Sequence, residues 1–305
     1  MTMTRRDAVV VGAASLLGQA RLLAQRRPSV AITMDDVRWR NIPEDRRVEA
    51  EARFLEHLGK TRAYLFAIGN QVDNEHGARI LERWSAAGHL IGNHTYTHQI
   101  LGKATPGEFE EDILRNDELL HKYSGFRKWF RFPALKEGQT REIRDRIRRF
   151  LVRRGYRNGA VTIDTSDWYY DQRLIARFQV SPRFDAGLYR EPYLNHIWDR
   201  AQFYDQLSRD VLGRSVAHTL LIHYNLLNSL FLGDLLQMFR AKGWEIAGAD
   251  EAFADPIFGL QPDTAPAGES LVWALAKETG KFDHQLRYPG EDDVYEKPVL
   301  ERLGL

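Results

Sequence analysis

The sequence predicts an α/β protein built on a parallel sheet, and three observations carry that prediction. Short apolar runs alternate with longer amphipathic stretches from residue 29 to residue 247. Glycines stop most of the amphipathic stretches. Acidic, basic and imidazole side chains fall at the carboxyl ends of the apolar runs, where the loops of such folds share one face.

Segments 29–34, 63–68, 90–93, 129–132, 159–163, 219–222 and 245–247 read as strands: each is a short apolar run bounded by turn residues. Between them, 43–58, 75–87, 106–123, 140–154, 201–212 and 230–242 read as helices. Gly59, Gly88, Gly125, Gly155 and Gly243 follow five of these as stop signals. Seven strand units predict closure into a barrel. The connection 167–217 is long and rich in aromatics, from Trp168 to Trp198, which can wall a groove or cover the barrel rim. Segment 261–270 reads as a loop. Residues 25–250 are expected to form the barrel, and 251–305 an extension wrapped on it.

The first residues carry a different signal. Arg5-Arg6 precedes an apolar, small-residue stretch, 8–20, too short to span a bilayer as a mature helix. Paired arginines at that junction read as a twin-arginine export signal over 1–24. This predicts an exported, periplasmic or secreted protein handled by the machinery that carries folded chains. No later run is apolar for eighteen residues, so an integral membrane protein is not expected after cleavage.

The chain has 305 residues and balances 43 Lys and Arg against 42 Asp and Glu, so nothing points to nucleic acid as a partner. The basic stretch 144–154 reads as the solvated face of a helix. There is no cysteine, which excludes disulfides, thiolate nucleophiles and Cys-based zinc sites.

Chemistry concentrates in a few short stretches. His94 and His98 are four residues apart, so on a helical turn both imidazoles face one cation. No Glu follows His94, so the stretch is not the HExxH arrangement. Asp35-Asp36 ends the first apolar run. One carboxylate can complete a two-His, one-carboxylate triad, and its neighbour can take a proton from water. Alone, the pair also suits a helix cap or a loop. His223 ends another strand, where it can protonate a leaving amine or alkoxide or serve a structural role.

Taken together, these stretches resemble the polysaccharide deacetylases, the NodB-homology or carbohydrate esterase 4 family. Thr33-Met34-Asp35-Asp36 is similar to its T-F-D-D motif, 94–98 to H-[ST]-x-x-H, and Arg131-Phe132-Pro133 to R-x-P. Asp164–Trp168 is similar to D-x-x-D-W, and Leu221-Ile222-His223 to L-x-H. The five motifs span about two thirds of the chain in family order. The resemblance implies a distorted (β/α)7 barrel of the NodB-homology type. It implies Asp35 as base, held by Arg131, and Asp36, His94 and His98 as ligands of one divalent ion. That ion would be zinc, with cobalt or nickel suiting the same donors. It implies His223 as acid, paired with Asp167, and Trp168 and Leu221 as walls of an acetyl pocket. The substrate implied is an acetylated glycan, attacked at N-acetyl or O-acetyl groups. Ala134 stands where the family has an aromatic residue. Its backbone N–H can still serve an oxyanion, but contact with a sugar ring is lost. Two other functions compete: an amidohydrolase for a small non-sugar amide, and a carbohydrate-binding protein without catalysis.

Overall fold

The run 29–35 is apolar on both faces, and that fits only a strand covered on both sides. Val30, Ala31, Ile32 and Met34 have no exposed surface in the computed structural model. The structure describes residues 27–305 apart from Arg38, Arg40, Asn41 and Pro43. The expected export signal lies outside the described residues.

Nine strands follow in order: β1 (Ser29–Asp35), β2 (Tyr64–Ala67), β3 (Leu90–Asn93), β4 (Phe126–Phe130), β5 (Lys136–Gly138), β6 (Arg157–Asn158), β7 (Ala217–His223), β8 (Glu245–Ile246) and β9 (Ala267–Gly268). Seven of them form one parallel sheet in the order β6-β4-β3-β2-β1-β7, with β8 also paired to β1. The sheet curls until its ends meet through segment 157–163. Gly159 N donates to Phe130 O on one side (2.7 Å), and on the other Ile163 N donates to Thr219 O and Leu221 N to Ile163 O (both 3.0 Å). The distorted α/β barrel expected from the sequence is the fold observed. Alternate residues sort by face: Val30, Ile32 and Met34 pack with the surrounding helices. Ala31, Tyr64, Phe66 and Leu90 pack with Ala249, Ala252 and Phe253.

Three expectations are corrected. The fifth strand, expected over 159–163, is the two-residue β6 plus a bridge at Ile163. The Gly159 carbonyl turns to the Arg131 side chain, and a Cβ at Gly159 would stand 2.4 Å from the Phe66 ring, so the chain leaves the ladder there. The fourth strand lies at 126–130, so Arg131 follows it and is not inside it. The connection 167–217 holds two helices, Asp167–Val180 and Arg190–Leu212, where a single helix over 201–212 was expected. Tyr193, Leu194, Ile197, Ala201, Tyr204 and Leu207 make a buried helical stripe, so most aromatics of this connection pack the core and do not wall a groove.

The C-terminal region is stitched onto the closing strand. β9 pairs antiparallel with β5, Leu271 N donates to Val161 O (2.7 Å), and Ser270 Oγ donates to Thr162 O (2.9 Å). Helices Leu271–Thr279 and Asp293–Arg302 send Val272, Trp273 and Leu300 into the main core. Among the described residues no helix is long and apolar enough to cross a membrane.

Candidate active site

β1 delivers two adjacent carboxylates. Neighbours in a continuing strand would face opposite sides, but Asp36 takes a left-handed conformation (φ 65°), and both side chains reach the same region. Arg131 Nη1 donates to both Asp35 oxygens (3.1 and 3.2 Å), and Nη2 donates to Thr33 Oγ1 (3.1 Å). Arg131 and Asp35 are both buried, at 1% and 3% exposure. Burial pushes the Asp35 carboxyl up to about 6, against the pull of Arg131 and His223.

The two histidines reach Asp36 from a loop, not from the helical turn that their spacing suggested. Thr95 and His98 have φ of 62° and 59°, and those turns bring the rings to 5.0 Å between centroids. The loop is anchored at three points: Thr95 N to Asn93 Oδ1, and Thr97 N and Oγ1 to Asp112 Oδ2. His94 Nδ1 lies 2.8 Å from the Arg131 carbonyl, which accepts only if Nδ1 carries the proton. Nε2 is then a bare lone pair, 3.6 Å from Asp36 Oδ1, and His98 Nε2 is 3.8 Å from the same oxygen. Burial lowers the His94 pKa to about 4, so the ring is neutral. The three donor atoms lie within 4.8 Å of one another. Two imidazoles and a carboxylate, one ring locked in tautomer by a backbone carbonyl, suit a divalent cation.

A second imidazole centre stands at the end of β7. His223 Nδ1 and backbone N both meet Asp167, at 2.8 Å to Oδ1 and 2.8 Å to Oδ2. Asn225 and Asn228 also donate to Asp167 Oδ2 (3.2 and 2.6 Å). Burial works to raise the Asp167 carboxyl, but His223 and these donors hold it below the usual carboxylate range.

Both centres open on one cavity of about 270 Å³. Asp35, His94 and His98 line one part, and Trp168, Leu221 and His223 another, with Ala134 between them in sequence. Asp36, Arg131 and Asp167 are buried behind this surface. Part of the lining was not foreseen: Leu135, Lys136, paired with Glu269, and residues 289–292 of the C-terminal region. Asp164 lines it too, pushed well above its ordinary range by burial and by the nearby Glu291 and Glu269. No local pattern marks Glu269 or Glu291, because each reaches the pocket only through tertiary contacts.

Residues 23–158 match the family model described as polysaccharide deacetylase. Over that stretch the chain is similar to the polysaccharide deacetylase family. The match ends before the motifs at 164–168 and 221–223, which join the site through the fold. Over 144 residues the chain is 27% identical to a peptidoglycan-N-acetylglucosamine deacetylase of Bacillus cereus, covering 47% of each protein. The chain thus spans less than half the length of that relative. Two solved structures share the fold. One is a chitin deacetylase of Colletotrichum lindemuthianum: TM-score 0.52, 21% identity, 76% of this chain and 90% of that one. The other is a mutant of a CE4 family pseudoenzyme of Bacillus anthracis: TM-score 0.52, 18% identity, 74% and 67%.

Proposed function

We propose that this chain hydrolyses acetyl groups from an acetylated glycan, N-acetyl amides above all and O-acetyl esters by the same chemistry, using one divalent cation held by Asp36, His94 and His98. Zinc suits this donor set, as do cobalt and nickel. Bound there, the cation would polarise the acetyl carbonyl and acidify a water molecule. Asp35 takes the proton of the attacking water, its carboxylate aimed by Arg131. The Ala134 N–H donates to the oxyanion that develops on the carbonyl oxygen. His223 receives its orientation from Asp167 through Nδ1, which leaves Nε2 to protonate the departing nitrogen as the C–N bond breaks. Acetate and a free amine result. Trp168 and Leu221 supply apolar surface for the acetyl methyl.

The single observation behind this reading is that the Asp36–His94–His98 cluster, Asp35 and the His223–Asp167 pair border one cavity. Each is what metal-assisted amide hydrolysis requires. The paired arginines at 5 and 6 and the apolar stretch after them support export by the machinery for folded proteins, with residues 25–250 as the catalytic barrel.

The test is acetate release from chitin oligomers, peptidoglycan and acetylated xylan, with metal analysis of the same preparation. Release that stops with chelator and returns with zinc is expected. Full metal content with no release from any of the three would overturn the glycan reading. Turnover of a small acetamide would then mark an amidohydrolase, and glycan binding alone a lectin-like protein.

A further inference from the structure

Two buried carboxylates of the C-terminal region meet one helix next to the site. Helix Arg190–Leu212 presents His196 and Arg200 one turn apart. Arg200 Nη1 reaches Glu291 Oε1 (3.1 Å), and His196 Nδ1 lies 3.2 Å from Glu296 Oε2. Glu291 has an evident task, since it lines the cavity. Glu296 does not, and yet its surroundings are elaborate. Tyr170 donates its hydroxyl to Glu296 Oε2 (3.1 Å), and Arg287 Nη1 stands 3.5 Å from Oε1. The Tyr170 ring stacks on His196 at 5.1 Å. His196 and Glu296 are 6% and 5% exposed.

The far side of His196 gives the reason. Its Nε2 accepts a hydrogen bond from the backbone N–H of Ser166 at 2.9 Å. An accepting Nε2 places the ring proton on Nδ1, where it is donated to Glu296. Ser166 caps helix Asp167–Val180, and the next residue is Asp167, the partner of His223. The chain Glu296–His196–Ser166 therefore runs from the C-terminal helix to the backbone that carries the Asp167 carboxylate. For packing alone, an apolar pair of similar volume would fill the space at least as well, because burying a carboxylate carries a desolvation cost.

We propose that Glu296 and His196 are positioning residues: through them the C-terminal helix holds Ser166, and with it Asp167, in register with His223. This rests on the deacetylase reading for the role of His223, and the experiment separates the two. The variant is the full chain, zinc-loaded, carrying His196→Phe and Glu296→Leu together. It keeps the ring stacked on Tyr170, removes the buried carboxylate together with its imidazole donor, and leaves the Ser166 N–H without its acceptor. Losing the buried carboxylate offsets part of the cost of the stranded Ser166 N–H and Tyr170 hydroxyl, so the variant is expected to fold with a modest loss of stability. The first readout needs no substrate: the low-field proton resonance of His223 Nδ1 against the Asp167 carboxylate, assigned by its loss in His223→Gln. The resonance is expected to move or vanish in the double variant. On acetylated chitin oligomers kcat should fall about 10–100-fold, as for supporting residues behind a reacting group, with KM nearly unchanged. Glu296→Gln, which still accepts from His196 Nδ1, should keep both the resonance and kcat close to the wild type.

A double variant that folds and keeps the resonance and kcat would overturn the relay and leave a packing role. Asp167→Asn must lose the resonance. If it does not, the Asp167–His223 assignment fails, separately from the relay. Should the wild-type chain release no acetate, the resonance alone decides the relay.

Discussion

Removing Arg131 should cost about as much stability as truncating a large core side chain, and a second substitution should restore part of the loss. In Arg131→Met, Asp35 loses both contacts to Nη1, Thr33 loses its donor, and the Gly159 carbonyl loses the Nε–H. Asp35 is 3% exposed, so water does not replace the guanidinium. Breaking a buried ion pair from one side costs about 3–5 kcal/mol, because the remaining charge stays behind uncompensated. With a urea m-value of about 3 kcal/mol/M, the midpoint should fall by roughly 1–1.7 M. Arg131→Met/Asp35→Asn removes the stranded charge and should recover about 1–3 kcal/mol of that, although the Gly159 carbonyl remains unsatisfied. Urea titrations monitored by tryptophan fluorescence, with chelator present throughout to remove metal linkage, measure all three proteins. The account of the pair fails if Arg131→Met lies within about 1 kcal/mol of the wild type, or if the double variant is no more stable than the single.

Metal binding should register as stability. Zinc at about a hundred times its dissociation constant contributes about 2.7 kcal/mol, roughly 4–5 °C in Tm for a chain of this size. His94→Ala should abolish that rise together with activity, and a calorimetric scan showing it intact would displace His94 from the ligand set. Acid should destabilise the fold in a defined window. Burial works to raise Asp167, Asp205 and Asp255, but their partners, His223, His218 with Ser215, and Arg214 respectively, hold them below the ordinary carboxylate range. The unfolded chain therefore binds more protons, so this stability is complete above the unfolded value near 4 and is lost as pH falls below it. Urea midpoints measured between pH 6 and pH 3, taken as roughly the span of carboxylate titration, should drop at the acid end. Asp255→Asn should lower the plateau and shrink the drop, and a drop of unchanged size would remove Asp255 from the account.

Much of the site was legible because its residues stand at strand ends, and strand ends in an α/β barrel share a face whatever their separation in sequence. Asp35 and His223 are the last residues of β1 and β7, in register with each other. That adjacency follows from reading two apolar runs correctly. The spacing argument expected His94 and His98 to face one point from a helical turn, and they converge from a loop instead. The pair faces one point because Thr95 and His98 are left-handed, which no periodicity reveals. The fifth strand was misplaced because an arginine side chain, not a neighbouring strand, takes the Gly159 carbonyl. The C-terminal contribution was illegible for a further reason. Glu269 meets Lys136 across 133 residues, and Glu296 meets Tyr170 across 126, in segments without apolar rhythm. Polar contacts between segments so far apart in sequence leave no local pattern to read.

The backbone supplies a separate argument that this pocket is selected for more than packing. Among the described residues, six that are not glycine have positive φ: Asp36, Thr95, His98, Ala134, Leu135 and Glu269. Four of them line the cavity, Asp36 is in the candidate ligand set, and Thr95 links His94 to His98. Each such conformation costs roughly 1–3 kcal/mol, so together they rival the net stability of a domain. Ala134 isolates the effect, since its side chain is a single methyl at φ 51°. Ala134→Gly relieves the Cβ clash while adding freedom to the unfolded chain, so the fold should be unchanged or stabilised by up to about 1 kcal/mol. Ala176→Gly, exposed in the middle of helix Asp167–Val180, should instead lose about 1 kcal/mol. Acetate release by Ala134→Gly should nevertheless fall, because the methyl no longer restrains the peptide whose N–H is proposed to serve the oxyanion. Equal destabilisation of the two variants in urea would show that Ala134 stores no strain, and the clustering of left-handed residues would then lose its link to catalysis.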